Sequence, residues 1–194
     1  MKKFIISQIT ESIELKQNVL HNEQLIGLIA EISQAAVQVY KNGHKLLIAG
    51  NGGSAADAQH IAGELINRLN FDHPALPAIA LTTDTSVLTA IGNDSGYEQI
   101  FKRQIEALGD KGDMFLGIST SGNSPNILAA FRVCQEKGLV RVGLTGQAGG
   151  EMAGLCDYCV NVPSNDTPRI QEVHILISHI LCSIIEESIF GKGM

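Results

Sequence analysis

At residues 114–125 the chain reads MFLGISTSGNSP, the most informative stretch of the sequence for its fold. Its first five residues form an apolar run typical of a buried β-strand. Small hydroxyl-bearing residues follow, and Ser124 before Pro125 is typical of a helix N-cap with proline at the first helical position. The sequence therefore predicts a strand, a polar loop and a helix that begins at Ser124.

A second loop repeats this arrangement. Residues 45–54 read KLLIAGNGGS, an apolar run followed by glycines and then by a helical pattern. The free N–H groups and the positive dipole end of a helix N-terminus suit an anion, and the hydroxyls at 119–124 add donors for phosphate oxygens. A serine-rich turn with a good cap explains one loop alone. Recurrence favours two anion sites on one sheet.

Five apolar runs predict strands that alternate with helical patterns. Strands are expected at 45–49, 78–82, 114–118, 141–144 and 158–162, and helices near 54–69, 86–91, 97–108, 124–137 and 169–190. This alternation predicts a five-stranded parallel sheet covered on both faces, a three-layer α/β sandwich of flavodoxin-like or Rossmann-like type. Ligands of such sheets bind beyond the carboxyl ends of the strands, where both loops lie.

The first part of the chain differs from the rest. Residues 3–40 carry apolar positions at helical spacing, and Asn42-Gly43 ends the pattern, so residues 1–42 are expected to form a helical arm. We find no internal linker, repeat or low-complexity tract. One domain over residues 1–194 is the expected organisation.

Composition excludes several function classes. Net charge is −6, Trp is absent and Lys and Arg do not cluster, which excludes nucleic acid as a direct ligand. The apolar start is too short for a signal peptide, and no run of about 18 apolar residues would span a membrane, so we expect a cytoplasmic protein. Cys156 and Cys159 have C-x-x-C spacing, but without a second pair core packing is favoured over metal or redox chemistry.

Two helices carry residues suited to a metal or to proton transfer. His60 and Glu64 are four residues apart and share a helix face. The final helix carries Gln171, His174 and His179. Such a set suits zinc or acid–base chemistry, although spacing alone favours an ordinary surface pair and ordinary helix histidines. Gln171 and His179 lie about 12 Å apart along a straight helix, which suggests different tasks or different subunits.

A dinucleotide-binding protein is an alternative of another class. Gly50, Gly52 and Ala55 satisfy a loose form of the glycine fingerprint. An acidic residue about 20 positions later, at the end of the second strand, should accompany it. The first candidate is Asp84, over 30 residues from Gly50, and this spacing disfavours a nucleotide site.

The motifs together resemble a known family. The stretches 50–54, 60–64, 92–94, 117–124 and 169–179 resemble the phosphoheptose isomerases, members of the sugar isomerase (SIS) domain family. The loop at 119–124 marks the SIS family broadly, whereas the set His60, Glu64, Gln171 and His179 is more specific. The resemblance implies an aldose–ketose isomerase that converts sedoheptulose 7-phosphate to D-glycero-D-manno-heptose 7-phosphate through an enediol, towards ADP-heptose for the lipopolysaccharide core.

The resemblance also implies the site. Glu64 and His179 would be catalytic, and one zinc ion per subunit would be held by His60, Glu64, Gln171 and His179. The substrate-binding residues implied by position are Asn51, Gly52, Gly53, Ser54, Glu64, Asn93, Asp94, Ser119, Thr120, Ser121, Ser124 and Gln171. The family is typically a homotetramer with sites between subunits, and the arm would serve in oligomerisation. A non-catalytic relative that binds the replication initiator is the alternative within the family.

Overall fold

The computed structural model describes residues 1–191 and alternates helices with strands. Its α-helices and strands are α1 Lys2–Leu20, α2 Glu23–Lys41, β1 Leu46–Gly50, α3 Gly53–Ile66, β2 Ala78–Ala80, α4 Thr85–Ser95, α5 Ile100–Leu108, β3 Met114–Ile118, α6 Pro125–Lys137, β4 Val140–Thr145, β5 Tyr158–Asn161 and α7 Thr167–Phe190. Short 3-10 turns at Tyr97–Gln99 and Glu151–Gly154 precede α5 and β5.

The five strands form one parallel sheet in the order β2-β1-β3-β4-β5. This is the flavodoxin-like order, in which the chain changes direction between β1 and β3. Gly50 at the end of β1 pairs with Ile118 at the end of β3, so the two polar loops leave the same edge of the sheet side by side. The predicted three-layer fold is confirmed, and ligands of such sheets bind at this switch point.

Alternating side chains of β1 separate the two faces of the sheet. Leu46 and Ile48 belong to the core beneath α2, α3 and α7, whereas Leu47 and Ala49 belong to the core beneath α5 and α6. Because side chains alternate along a strand, one buried strand serves both layers. The layer that contains α3 and α7 brings together the two helices that carry the candidate site.

Three local predictions differ from the structure. The helical pattern at 3–40 is two helices, because Asn22 caps α2 by accepting a hydrogen bond from the Leu25 N–H (3.0 Å). Helix α4 extends through Asn93 and Asp94, beyond the predicted end at residue 91. Helix α6 begins after Ser124 as predicted, but the Ser124 side chain makes no capping hydrogen bond and turns towards the loop instead.

Helix α7 is long and strongly apolar. Within the described residues it is one helix whose length and composition would allow it to cross a membrane, with a mean hydropathy of 1.6 over 18 residues. Val173, Ile177 and Leu181 are buried against the sheet and α2. A core helix of this kind has the same composition as a membrane span, and its packing here identifies it as part of the core.

Candidate active site

The loop after β3 is a compact cradle of hydroxyl groups. Ser119 Oγ lies 2.8 Å from Ser124 Oγ and 3.5 Å from Ser121 Oγ, and the loop ends at the N-terminus of α6. Gly122 has φ +66°, and a Cβ there would collide with the Gly149 carbonyl oxygen. Only glycine fits that conformation and that contact. Ser119 is itself 4% exposed, so the groups available to an anion are the hydroxyls of Thr120, Ser121 and Ser124 together with the N–H groups of α6.

The loop after β1 is equally tight. Gly52 has φ +56°, and a Cβ on Gly50 would lie 2.5 Å from the Ser54 carbonyl oxygen. Ser54 is 3% exposed, so its side chain faces the interior, whereas Gly52 and Gly53 are exposed at the start of α3. The backbone of this loop, rather than the Ser54 hydroxyl, is thus available to a ligand.

Hydrogen bonds between side chains join the two loops. Asn51 Nδ2 donates to Asn126 Oδ1 (2.9 Å), and Asn126 Nδ2 donates to Asn51 Oδ1 (2.8 Å). The Tyr97 hydroxyl donates to the same Asn51 oxygen (3.1 Å). Asn51, Tyr97, Ser124 and Asn126 line one side of an open cleft of about 450 Å³.

The side chain of Gln171, a residue of α7, lies against the start of α3. A Cβ on Gly53 would be 2.8 Å from Gln171 Nε2, so the glycine makes room for this amide. Helices α3 and α7 run side by side from this contact. The amide therefore lies beside the glycine loop within one chain.

About two helical turns further along, α3 and α7 meet again at a cluster of three titratable side chains. His60 Nε2 lies 3.1 Å from Glu64 Oε1 and 2.9 Å from His179 Nε2. The three offer ligand atoms that all lie within 4.8 Å of one another. The His60 side chain is 45% exposed and that of Glu64 is 22% exposed, so solvent and substrate have access.

This cluster fits a zinc ion. Tetrahedral zinc with ordinary bond lengths holds its ligand atoms about 3.3 Å apart, close to the two shortest separations here. Two imidazoles and one carboxylate are a common zinc set, and three protein ligands leave a position open, as in catalytic sites. The Nε2 atoms of His60 and His179, 2.9 Å apart, can also form a hydrogen bond with each other as donor and acceptor. The two imidazoles are therefore satisfied with or without an ion.

The structure does not bring every predicted residue to one place. Gln171 lies at Gly53, about 12 Å along α7 from His179, so its role as a fourth ligand stays a prediction that requires movement or a second subunit. Asn93 and Asp94 are exposed in the last turn of α4, where the Asn93 amide donates to Asp94 Oδ1 (2.7 Å). Their contact with substrate also stays a prediction.

Cys156 and Cys159 lie away from this site. Both sulfurs pack over Gly143 of β4, at 2.6 and 3.5 Å from the position of a Cβ on that glycine. A hydrogen bond to Cys159, followed by burial, raises the pKa of Cys156, whereas the same hydrogen bond lowers the pKa of Cys159. The packing role favoured by the sequence agrees with these contacts.

Comparison with known proteins places the chain in a family. Residues 10–146 match the SIS domain family model. The phosphoheptose isomerase of Aneurinibacillus thermoaerophilus is 60% identical over 190 residues, which cover 98% of this chain and 96% of that protein. The chain belongs to the phosphoheptose isomerase family. The resemblance seen in the sequence is thereby confirmed.

Other phosphoheptose isomerases agree in sequence and in structure. Phosphoheptose isomerase 2 of Campylobacter jejuni is 58% identical over 193 residues, covering 100% of this chain and 96% of that protein. The structure of the phosphoheptose isomerase of Neisseria gonorrhoeae superimposes with a TM-score of 0.90 at 42% identity, covering 96% of this chain and 98% of that one. The fold of this chain is thus that of the phosphoheptose isomerases over nearly its whole length.

Sequence reasoning missed two residues of the site. Asn126 is 2% exposed and Tyr97 is 64% exposed, yet both bond to Asn51. An asparagine at the second position of a helix has no distinctive spacing. The available signal was that Asn126 is polar and directly precedes the apolar residues Ile127 and Leu128, which are buried in α6.

Proposed function

We propose that this chain is the aldose–ketose isomerase that converts sedoheptulose 7-phosphate to D-glycero-D-manno-heptose 7-phosphate through an enediol. Membership of the family confirms that it is a phosphosugar isomerase; the substrate and the mechanism are the proposal. The observation that carries it is an acid–base cluster about two helical turns from the glycine loop at the start of α3. In this cluster His179 of α7 meets His60 and Glu64 of α3.

The separation of these two regions suits a seven-carbon sugar phosphate. Gly53 and His60 are seven residues apart on α3, or about 10 Å. An extended seven-carbon chain with phosphate on carbon 7 spans about 10 Å from phosphorus to carbon 1 at ordinary single-bond lengths. A phosphate held at the Gly53 end of α3, beside the loop after β3, would therefore leave carbons 1 and 2, which react, near the cluster.

The chemistry requires two proton carriers. Glu64 would remove the proton from carbon 1 of the ketose and later return it to carbon 2. His179 would donate a proton to the carbonyl oxygen on carbon 2 and take one from the hydroxyl on carbon 1, so that protons balance over the cycle. A carboxylate and an imidazole within one contact network are suitable groups for such transfers.

A zinc ion would be held by His60, Glu64 and His179. Gln171, the predicted fourth ligand, lies at Gly53 and would reach this ion only by moving or from a second subunit. When bound, zinc supplies Lewis-acid polarisation of a carbonyl oxygen. The protein itself orients the sugar: hydroxyls at 119–124 fix the phosphate, and Gln171 beside Gly53 offers an amide to the sugar chain. Asn93, Asp94 and the remaining predicted contacts complete the proposed substrate site, to which Ser54 contributes only its backbone.

The arm at residues 1–42 is proposed to serve in oligomerisation of this single SIS domain. Apolar side chains of α1 are about half exposed or more, namely Phe4, Ile5, Ile6, Ile9, Ile13 and Leu20. A stripe of this size on one helix favours burial against another copy. A homotetramer with shared sites, located in the cytoplasm and supplying heptose for lipopolysaccharide, is the proposed setting.

Turnover of sedoheptulose 7-phosphate by the purified protein tests this function. We expect the aldose to form, turnover to fall at least tenfold after chelation, and zinc to restore it, because a Lewis acid stabilises the enediolate. Product is measured by nuclear magnetic resonance, and metal content by elemental analysis of the same samples.

The other outcomes are equally informative. Turnover that is unchanged in metal-free protein would retain the isomerase and contradict a catalytic ion. No turnover from folded protein in either state would contradict the enzyme and favour the non-catalytic branch of the SIS family. A mock purification from the same host without the expressed chain controls for contaminating isomerase.

A further inference from the structure

The buried amide of Asn126 lies directly behind the candidate substrate site. Asn126 is the second residue of α6, next to the hydroxyl loop, and its side chain is 2% exposed. Its two hydrogen bonds go to Asn51, the first polar residue after β1. One side chain therefore ties the loop after β1 to the helix that follows β3.

The side-chain amide of Asn51 already uses nearly all of its hydrogen-bonding groups without substrate. Its Oδ1 accepts from Asn126 Nδ2 and from the Tyr97 hydroxyl, which uses both lone pairs. One of the two Nδ2 hydrogens goes to Asn126 Oδ1. A single N–H donor remains. Because the oxygen is occupied twice, the amide cannot rotate to offer an acceptor without breaking all three bonds.

We propose that Asn126 is a positioning residue of the isomerase, which fixes Asn51 as a hydrogen-bond donor to an oxygen of the bound sugar phosphate. The inference rests on the proposed function and goes beyond it, since Asn126 and Tyr97 are not among the residues that the family resemblance implies. A fixed donor suits an oxygen that carries or gains negative charge and disfavours a ligand that presents a donor there.

Replacement of Asn126 by aspartate separates positioning from simple packing. The ionised carboxylate accepts from Asn51 Nδ2 but cannot donate to Oδ1, so the Asn51 amide loses its fixed orientation. We expect kcat/KM to fall ten- to a hundredfold above neutral pH, the usual effect of a lost bond to a charged or buried group. The protonated carboxyl both donates and accepts, as the amide does. The ratio of variant to wild-type kcat/KM should therefore recover as pH falls.

Two other variants complete the test. Asn126→Leu has a similar size and cannot hydrogen-bond, so its loss should be as large and should not depend on pH relative to wild type. Tyr97→Phe removes one bond from an exposed side chain and should lower kcat/KM several-fold with an unchanged melting temperature. Gln135→Glu on the exposed face of α6, the helix that carries Asn126, controls for added charge.

A pH-independent loss in Asn126→Asp, equal to that of Asn126→Leu, would overturn the inference and leave Asn126 a packing residue. So would kcat/KM within twofold of wild type at high pH. If either buried variant fails to fold, Tyr97→Phe decides, and an unchanged kcat/KM would overturn the inference. Failure of the proposed function is distinguishable, because then the wild type itself would not turn over sedoheptulose 7-phosphate.

Discussion

Replacement of Glu64 by glutamine is expected to lower kcat by at least about a hundredfold while the fold is retained, because an amide of the same shape cannot accept the carbon-bound proton. The side chain is partly exposed and its hydrogen-bond partner is His60, so loss of the charge leaves no buried group unpaired. Circular dichroism and thermal melting should match wild type. Steady-state turnover of sedoheptulose 7-phosphate measures the effect.

Hydrogen exchange separates the proton-transfer role of Glu64 from a role in metal binding. Glu64 is partly exposed, so the proton that it holds between the two steps should exchange with solvent. In D₂O the wild-type enzyme should therefore place deuterium on carbon 2 of the aldose, and Glu64→Gln should suppress this incorporation together with turnover. The zinc content of both proteins is measured alongside. An amide oxygen still binds metal, so a variant that retains zinc and has lost exchange identifies Glu64 as the carbon base.

Glu136→Gln is the matched control, because it makes the same change of charge at an exposed position on α6. It should have wild-type turnover. Near-normal turnover in Glu64→Gln would remove this residue from the mechanism. Continued exchange at carbon 2 with slow turnover would instead assign the carbon-bound proton to another group, with His179 as the first candidate.

The sequence predicts the sheet well because its signals are local. Met114–Ile118 is a strand with the predicted bounds, and the other four strands differ by one or two residues at one or both ends. A strand buried on both faces must be apolar throughout, and proline after serine defines the start of α6. The break between α1 and α2 was missed because apolar spacing continues across it, and only the Asn22 cap indicates it.

The candidate site is predictable only in part, because its geometry depends on packing between distant elements. His60 and Glu64 share a face at a spacing that any helix dictates. Contact of His179 with His60, 119 residues away, follows from the packing of α7 beside α3, which no local pattern specifies. The same packing places Gln171 at Gly53, away from His179.

Acid is expected to destabilise this protein through His174. The side chain is fully buried on α7, where Nε2 lies 3.2 Å from the Thr145 carbonyl oxygen at the end of β4. Burial lowers the pKa of His174 from 6.5 to about 4, and the bond to Thr145 opposes this shift only partly. Nδ1 has no hydrogen-bond partner within residues 1–191, so a proton there would be a buried, unpaired donor.

The direction of the pH dependence follows from the lowered pKa. His174 is neutral in the folded protein and takes up a proton on unfolding below its ordinary pKa, so its contribution is complete above about pH 6.5. The free energy of unfolding should then fall by about 3 kcal/mol between pH 6.5 and pH 4 from this group alone. Urea denaturation at fixed protein concentration across this range measures it.

His174→Gln isolates this contribution from that of the carboxylates. Glutamine retains an N–H donor for the Thr145 carbonyl but does not titrate, so the variant should lose about 3 kcal/mol less than wild type over the same pH range. His21→Gln, which replaces an exposed histidine after α1, should retain the wild-type slope. Equal slopes in wild type and His174→Gln would mean that the folded protein accommodates the imidazolium.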